Sequence, residues 1–428
     1  MSQDLISSRS LRLSGRVQAP GSKSLTHRVL IIASLAEGES ELSNPLVCSD
    51  TLATLRALNS MGVRTAREDG VIRVKGKGGK FSPPRRAIDA GNSGTTLRFI
   101  TSLAGLVPGR SIITGDASLR SRPMGDLIAC LHDIGVNLIS LSGTGTAPIE
   151  VRGTGMVRGG EARITGSISS QFISSLLIPS PYFNGGLRLE VQGELKSRPY
   201  IDLTVEVMGD FGVVPSVDGS SFVVDAGQVY RPRAYAVDGD YSSASLIMAA
   251  AAITGSRVSV GGLRPESLQA DEAFLPILER MGCKVQRKGD VVAVEGGDLT
   301  GIDVDLSNSP DLLPPLSVVA AVAKGPTRIR GVEHARFKES DRIAVVSNEL
   351  ARLGIGVEER SDGLAFRGGG RPGRGEVSSH GDHRIAMALA VLGLVSDGLV
   401  VRDASCVSVS YPEFVRDLSK LGADLKWV

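Results

Sequence analysis

Gly239-Asp240-Tyr241-Ser242-Ser243 runs straight into Ala244-Ser245-Leu246-Ile247-Met248-Ala249-Ala250-Ala251-Ala252-Ile253, and the reading of this join decides the fold. Asp240 and the serines offer oxygens that cap the open N–H groups of a helix start. The following residues are good helix formers and apolar on every side, so the helix is expected to be buried. Gly255 supplies a stop. Ser256 to Leu263 alternates and is rich in β-branched residues, which predicts a strand. Asp271 opens a second helix in which Phe274, Ile277, Leu278 and Met281 share one face, and Pro276 inside it predicts a kink. Lys284 to Val294 reads as a hairpin turning at Lys288-Gly289-Asp290. The unit is thus helix, strand, helix, strand, strand.

Five other segments begin in the same way, at Gly21-Ser22-Lys23-Ser24, Gly91-Asn92-Ser93-Gly94, Gly166-Ser167-Ile168-Ser169, Ser307-Asn308-Ser309-Pro310 and Gly381-Asp382-His383-Arg384. Each unit closes on an amphipathic stretch that ends in a glycine: Gly62, Gly135, Gly212, Gly282, Gly354 and Gly422. Leu52, Leu55 and Leu58 stripe the second helix of the first unit, and Phe414, Leu418 and Leu421 that of the last. Self-similarity at a period of roughly 70 residues marks supersecondary units that cannot bury their apolar faces alone. At 428 residues the chain exceeds one comfortable core, so two domains of three repeats each are expected. Buried helices at the centre of each, with sheets and half-exposed helices around them, are the simplest packing.

The composition is that of a globular protein, 42% hydrophobic and 22% charged. A net charge of +2 leaves no general footprint for nucleic acid or membrane, so any anion affinity must be local. No segment reaches the ~18 apolar residues of a membrane span, and the first fifteen residues hold no signal-peptide core. Cys48, Cys130, Cys283 and Cys406 have no metal-binding or CxxC spacing and read as buried thiols of a reducing compartment. A cytoplasmic location follows as the expectation. His380 and His383 stand at i, i+3 with no third ligand nearby, so no metal is expected. Gly368-Gly369-Gly370 precedes no helix and reads as a surface turn rather than a phosphate loop.

The cations fall at the helix starts. Lys23 stands at the first start with Arg28 about one turn inside, beside open backbone N–H groups and ahead of buried residues, which makes an anion site. Asn92-Ser93-Gly94-Thr95-Thr96 repeats the theme without a cation, and Gly94 lets a ligand approach the backbone. Arg120 and Arg122 flank a shaped loop before Pro123. Ser169-Ser170-Gln171 and Ser197-Arg198-Pro199-Tyr200 offer hydroxyls and an amide where helices begin. Arg336-Phe337-Lys338-Glu339-Ser340-Asp341-Arg342 gathers five charges at a junction between a strand and an apolar helix, and Arg384 opens an apolar helix of its own.

In this order, GSKSLTHR, GNSGTTLR, the SRPM element, GSISSQF, SRPYID, SPD, RFKESDR and GDHRIAM resemble the 3-phosphoshikimate 1-carboxyvinyltransferase (enolpyruvylshikimate-phosphate synthase) family. The likeness runs from about Leu13 to Leu421. It implies an α/β (α+β) fold: a two-domain, inside-out α/β barrel of six βαβαββ repeats. Residues 21–237 would form one domain, and residues 1–20 with 238–428 the other. It implies transfer of the enolpyruvyl group of phosphoenolpyruvate to the 5-hydroxyl of shikimate 3-phosphate by addition and elimination, without a cofactor. Carried over position by position, Lys23, Ser24 and Arg28 would hold shikimate 3-phosphate, with Ser169, Ser170 and Ser197 on its phosphate and Asp311 and Lys338 at its hydroxyl. Lys23, Gly94, Arg122 and Gln171 would surround the phosphate of phosphoenolpyruvate, and Arg342 and Arg384 its carboxylate. Asp311, Lys338, Glu339 and Lys23 would be catalytic, with Glu339 as acid toward carbon. The resemblance also implies a monomer, and closure of the two halves on their ligands. Two positions depart from the pattern. Val409 stands where relatives often carry a Lys, and His334 where many carry Asn.

Two rival readings have discriminators. A UDP-amino-sugar enolpyruvyl transferase typically has a reactive Cys on a mobile loop, and the stretch Asp116 to Arg122 has none. A DNA-encircling clamp also uses six pseudo-repeats, but it needs cations on water-facing helices rather than at the starts of apolar ones.

Overall fold

The structure is a computed structural model and describes residues 3–10 and 12–428. The chain divides into two compact units, Gly21–Val237 and Met1–Pro20 with Asp238–Val428. Each contains three four-stranded sheets. All six sheets share one pattern. In the third repeat Gly160–Thr165 runs parallel to Leu187–Gln192, which pairs antiparallel with Ser221–Val224, which pairs antiparallel with Ser216–Asp218. The parallel step needs a crossover, and the buried helix Ser170–Leu177 supplies it.

Strands supplied from a distance close each unit on itself. In the 21–237 unit, the parallel partner of Glu37–Ser43 is Ala234–Ala236, from the far end of the segment. In the 238–428 unit, Ser14–Gln18 pairs with Arg257–Gly261, and Leu5–Ser8 completes the last sheet between Leu399–Arg402 and Asp424–Trp427. Leu5–Ser8 and Ser14–Gln18 therefore belong with the C-terminal half through ladder hydrogen bonds.

The six polar starts all precede buried helices. Ser22, Ser93, Ser169, Asp240 and Asp382 each cap a helix with their side chains. Ser309 precedes the 3-10 turn Pro310–Leu312, which leads into Leu313–Val322. Tyr241–Thr254, Leu313–Val322 and His383–Gly393 pack on one another in one unit, and Lys23–Leu35, Gly94–Leu103 and Ser170–Leu177 fill the other. The six closing glycines all take positive φ, from 79° to 105°, just past the second helix of each repeat. That left-handed stop is open to Gly without the Cβ penalty.

Four local expectations are corrected. Residues 270–280 do not form one kinked helix. Because Pro276 has no N–H and its ring would strike the carbonyl of Glu272, Ala270–Ala273 is a 3-10 turn and the α-helix starts at Phe274. The strand of the fourth repeat is shorter than expected, Arg257–Gly261. The stretch before Pro123 is a short helix, Ala117–Ser121, capped by Asp116, rather than a loop. Cys406 is only half-buried, whereas Cys48, Cys130 and Cys283 are buried. The hairpin Lys284–Lys288 to Val291–Glu295 turns through Gly289-Asp290, with Gly289 at φ +58°. Among the described residues, no helix is long and apolar enough to cross a membrane.

Candidate active site

In the 21–237 unit the helix starts gather cations, and the buried Arg28 and Arg122 among them are held by neutral oxygens. Arg28 is 2% exposed. Its Nε donates to Thr204 Oγ1 at 2.7 Å, Nη1 to Ser24 O at 2.9 Å, and Nη2 to Tyr200 O at 2.9 Å. All of these partners are neutral. Burial alone pulls Arg28 down to about 10, which still leaves it charged near neutrality. Next to it on the helix, His27 is held far below its usual value by burial and by Lys23 and Arg28, so it is neutral. Lys23, the first helical residue, pairs with Asp50 at 3.0 Å.

Gly94 has no cation beside it in sequence, yet two guanidiniums face it. A Cβ at Gly94 would lie 3.1 Å from Arg122 Nη1, 3.3 Å from Arg98 Nη1 and 3.6 Å from Gln171 Oε1. Arg122 is buried and donates to Asn92 Oδ1 at 2.6 Å, while Arg120 is exposed. Arg98 donates to Gln171 Oε1 and lies over the Phe172 ring at 5.1 Å. Sequence reasoning missed Arg98, although it closes the quoted GNSGTTLR. The signal was its place one turn past Gly94 on the same helix. Among the described residues, neither Arg28 nor Arg122 has a carboxylate partner.

Hydroxyls gather at two further starts. Ser169 accepts from Gln171 N at 3.3 Å, Ser170 is buried, and Ser197 sits at φ +56° ahead of Arg198–Asp210. Lys196 beside it is buried and paired with Glu194 at 2.8 Å.

The 238–428 unit balances its cations with carboxylates. Arg342 is 1% exposed and takes three: Asp311 at 2.6 Å, Glu339 at 2.7 Å and Asp382 at 2.7 Å. Arg384 Nη2 reaches Asp311 Oδ2 at 3.1 Å, and Lys338 lies 3.8 Å from Asp311 Oδ1. Burial raises the Asp311 carboxyl, but Arg384, Lys338 and Arg342 outweigh it and hold Asp311 well below the usual carboxylate range. Burial lowers Lys338, with Asp311 pulling against it. Asp311, Lys338, Glu339, Arg342 and Arg384 therefore form one cluster. The charged junction is sorted by direction: Arg336 pairs with Asp341 and Glu359, away from that cluster. His334 is buried, and Val409 ends the 3-10 turn Ala404–Val409, half-buried.

A family model for EPSP synthase (3-phosphoshikimate 1-carboxyvinyltransferase) matches residues 8–418. The chain belongs to the EPSP synthase family. It is 46% identical over 420 residues to the 3-phosphoshikimate 1-carboxyvinyltransferase of Methanothermobacter thermautotrophicus, covering 98% of each chain. Its identity to the protein of that name from Methanocella arvoryzae is 46% over 415 residues, covering 96% of this chain and 97% of the other. Among solved structures, an EPSP synthase from Acinetobacter baumannii superposes with a TM-score of 0.85 at 27% identity, covering all of both chains. Within an EPSP synthase fold, Cys130 is a structural residue. It lies in the helix Gly125–Asp133, where burial and then Asp133 push its thiol up to about 12, far from the reactive thiolate that the amino-sugar reading requires.

Proposed function

We propose that the chain transfers the enolpyruvyl group of phosphoenolpyruvate to the 5-hydroxyl of shikimate 3-phosphate, giving 5-enolpyruvylshikimate 3-phosphate and phosphate. The observation that carries the reading is the unequal charge of the two clusters. Arg28 and Arg122 are buried and donate to neutral oxygens, the condition of a site that receives phosphates and carboxylates. Around Asp311, cations and carboxylates alternate within 2.6 to 3.8 Å of one another, the condition for moving protons.

Arg28 and Ser24 serve the ring of shikimate 3-phosphate near its carboxylate, and Ser169, Ser170 and Ser197 its phosphate. Lys23, Arg122 and Gln171, with Gly94 leaving room, take the phosphate of phosphoenolpyruvate. Arg98, held against Gln171, is added to that set. Arg342 and Arg384 take the carboxylate of phosphoenolpyruvate. The addition step needs the 5-hydroxyl oriented and deprotonated, and the methylene carbon protonated. The elimination step returns that proton as phosphate leaves. Asp311, held ionised by its three cations, accepts the hydroxyl hydrogen bond and orients it. Lys338, lowered by burial, and Glu339 are left to move the protons.

The same reading makes the protein a cytoplasmic monomer that works on small molecules and not on nucleic acid. A gel shift with duplex DNA at ~150 mM salt checks the last point. Phosphate release from shikimate 3-phosphate plus phosphoenolpyruvate, requiring both, tests the function. An Asp311→Ala protein that binds both substrates and turns over at the parent rate would overturn the role of Asp311.

A further inference from the structure

The start of the fourth repeat holds none of the substrate-binding side chains named above, yet it encloses a carboxyl with an open oxygen. Asp271 is 2% exposed and lies in the turn Ala270–Ala273. That turn is stitched to two helix starts. Gln269 Nε2 donates to Gly239 O at 2.8 Å and its Oε1 accepts from Tyr241 N at 3.1 Å, while Ser309 Oγ donates to Ala270 O at 2.8 Å. Ser242 Oγ donates to Asp271 Oδ2. Asp271 Oδ1 is buried with no hydrogen-bond partner. An ionised carboxylate there would carry charge on an oxygen that nothing solvates, whereas a carboxylic acid bears no such cost.

The charged groups facing Asp271 are Asp311 from the fifth repeat start, Arg384 from the helix His383–Gly393, and Asp240 from the cap of the helix Tyr241–Thr254. Lys338 and Arg342 stand behind Asp311. Burial first, and then Asp311, push the Asp271 carboxyl up to about 7, with Arg384 and the Ser242 hydrogen bond pulling the other way and Asp240 adding to the rise. Arg384 is thus felt by two carboxyls. It already pairs with Asp311 at 3.1 Å, and its charge also favours the ionised form of Asp271.

We propose that Asp271 is a positioning residue: while it carries its proton it does not compete with Asp311 for Arg384, which then serves Asp311 and the carboxylate of phosphoenolpyruvate, and when Asp271 ionises that substrate is bound more weakly. The inference rests on the assignment of Arg384 to this carboxylate made above. The charge arrangement gives it a direction. Affinity for phosphoenolpyruvate falls as pH rises through neutrality, while affinity for shikimate 3-phosphate, whose carboxylate and phosphate are assigned to residues of the other unit, does not follow.

The test is the KM for each substrate between pH ~5.5 and ~8.5 in the parent, Asp271→Asn and Ser242→Ala proteins. Asn keeps the shape and an acceptor for Ser242 but has no proton to lose. In the parent, the KM for phosphoenolpyruvate is expected to rise on the order of tenfold, the scale of one charge acting through a partly buried site. In Asp271→Asn that rise is absent, and the KM for shikimate 3-phosphate follows one curve in both proteins. The phosphate of the substrate titrates alike in both, so the difference belongs to the protein. Ser242→Ala removes a hydrogen bond that favours the ionised form and moves the rise to higher pH, which decides the matter if Asp271→Asn does not fold. Superimposable curves for parent and Asp271→Asn, or an unmoved rise in Ser242→Ala, overturn the proposal and leave the reaction assignment standing. A parent protein that releases no phosphate from the substrate pair at any pH overturns both.

Discussion

Arg342 Nε donates to Asp382 Oδ2 at 2.7 Å, tying the first residue of one helix to the N-cap of the next repeat's buried helix. The side chains are 1% and 0% exposed. Asp382 also accepts from Arg384 N at 2.9 Å, so one carboxylate sets the positions of both arginines assigned to a substrate carboxylate. Asp382→Ala strips a buried cation of one partner and a helix of its cap. A loss of about 3–5 kcal/mol is expected in denaturant unfolding, together with a higher KM for phosphoenolpyruvate. A midpoint equal to the parent's would show that Arg342 is held by Asp311 and Glu339 alone.

Arg28 spends its Nε, Nη1 and Nη2 on Thr204, Ser24 and Tyr200, so its planar fork is locked in place. A lysine has one ammonium and cannot keep those three bonds while facing a ligand. For Arg28→Lys the KM for shikimate 3-phosphate should rise by about tenfold or more, the cost of losing a pre-organised fork. The KM for phosphoenolpyruvate should move much less. Equal shifts for the two substrates would contradict the assignment.

At Gly94 an added methyl would come 3.1 Å from Arg122 Nη1 and 3.3 Å from Arg98 Nη1. These are the far ends of flexible side chains, so Gly94→Ala should fold, with both guanidiniums displaced. The expected outcome is a rise in the KM for phosphoenolpyruvate on the order of tenfold, since small misplacements of a positioning group cost rate and affinity steeply. Thermal stability near the parent's, alongside that rise, would separate displacement from unfolding.

Val409 offers no charge at a place where relatives often carry a Lys. Val409→Lys should lower the KM for phosphoenolpyruvate roughly 2–5-fold, the scale of a partly exposed charge pair. Its salt dependence should steepen as well, because an exposed pair is screened. An unchanged KM at low and high salt would mean that another residue already supplies the contact.

Asp271 also links stability to pH. An unfolded aspartate titrates near ~3.9, whereas in the folded chain burial raises this one to about 7. Between those values the native state holds a proton that the unfolded state has lost, so this residue's contribution to stability falls as pH rises through the window. Asp311 is shifted the other way, and its contribution is lost only as pH falls below the usual carboxylate range. The melting temperature of Asp271→Asn relative to the parent should therefore climb between pH ~4.5 and ~8. A flat difference would mean that Asp271 ionises normally.

Much of the fold was legible because its signals are local. A Ser or Asp ahead of an apolar run caps the helix at five of the six starts, and a closing Gly takes positive φ because the backbone there demands it. Those two marks, six times over, define the repeats. Pro276 was harder to read. Whether a proline kinks a helix or delays its start depends on the residues before it, and here a 3-10 turn stitched to Gly239, Tyr241 and Ser309 takes the place of the first helical turn. The site residues were named from motif likeness, but several partners were not. Asp50 beside Lys23 comes from the second helix of the same repeat, and Arg98 beside Gln171 and Asp382 beside Arg342 from neighbouring repeats, at separations of 27, 73 and 40 residues.

The amino-acid sequence by itself determined the six polar helix starts, five of them capped by a side chain, their apolar continuations, the glycine stops and the motifs that mark the family. Each of these rests on contacts within a few residues, so short-range sterics and hydrogen bonding suffice. The tertiary structure decided which charges share a cluster and in what protonation state. Two arginines that each close an eight-residue motif, Arg28 and Arg98, look alike in sequence, but one is locked by neutral oxygens and the other is turned toward Gln171. Asp271 and Asp311 are chemically identical, yet one is pushed toward its acid form and the other held ionised. Burial and the count of nearby cations set that difference, and both are properties of how distant repeats pack.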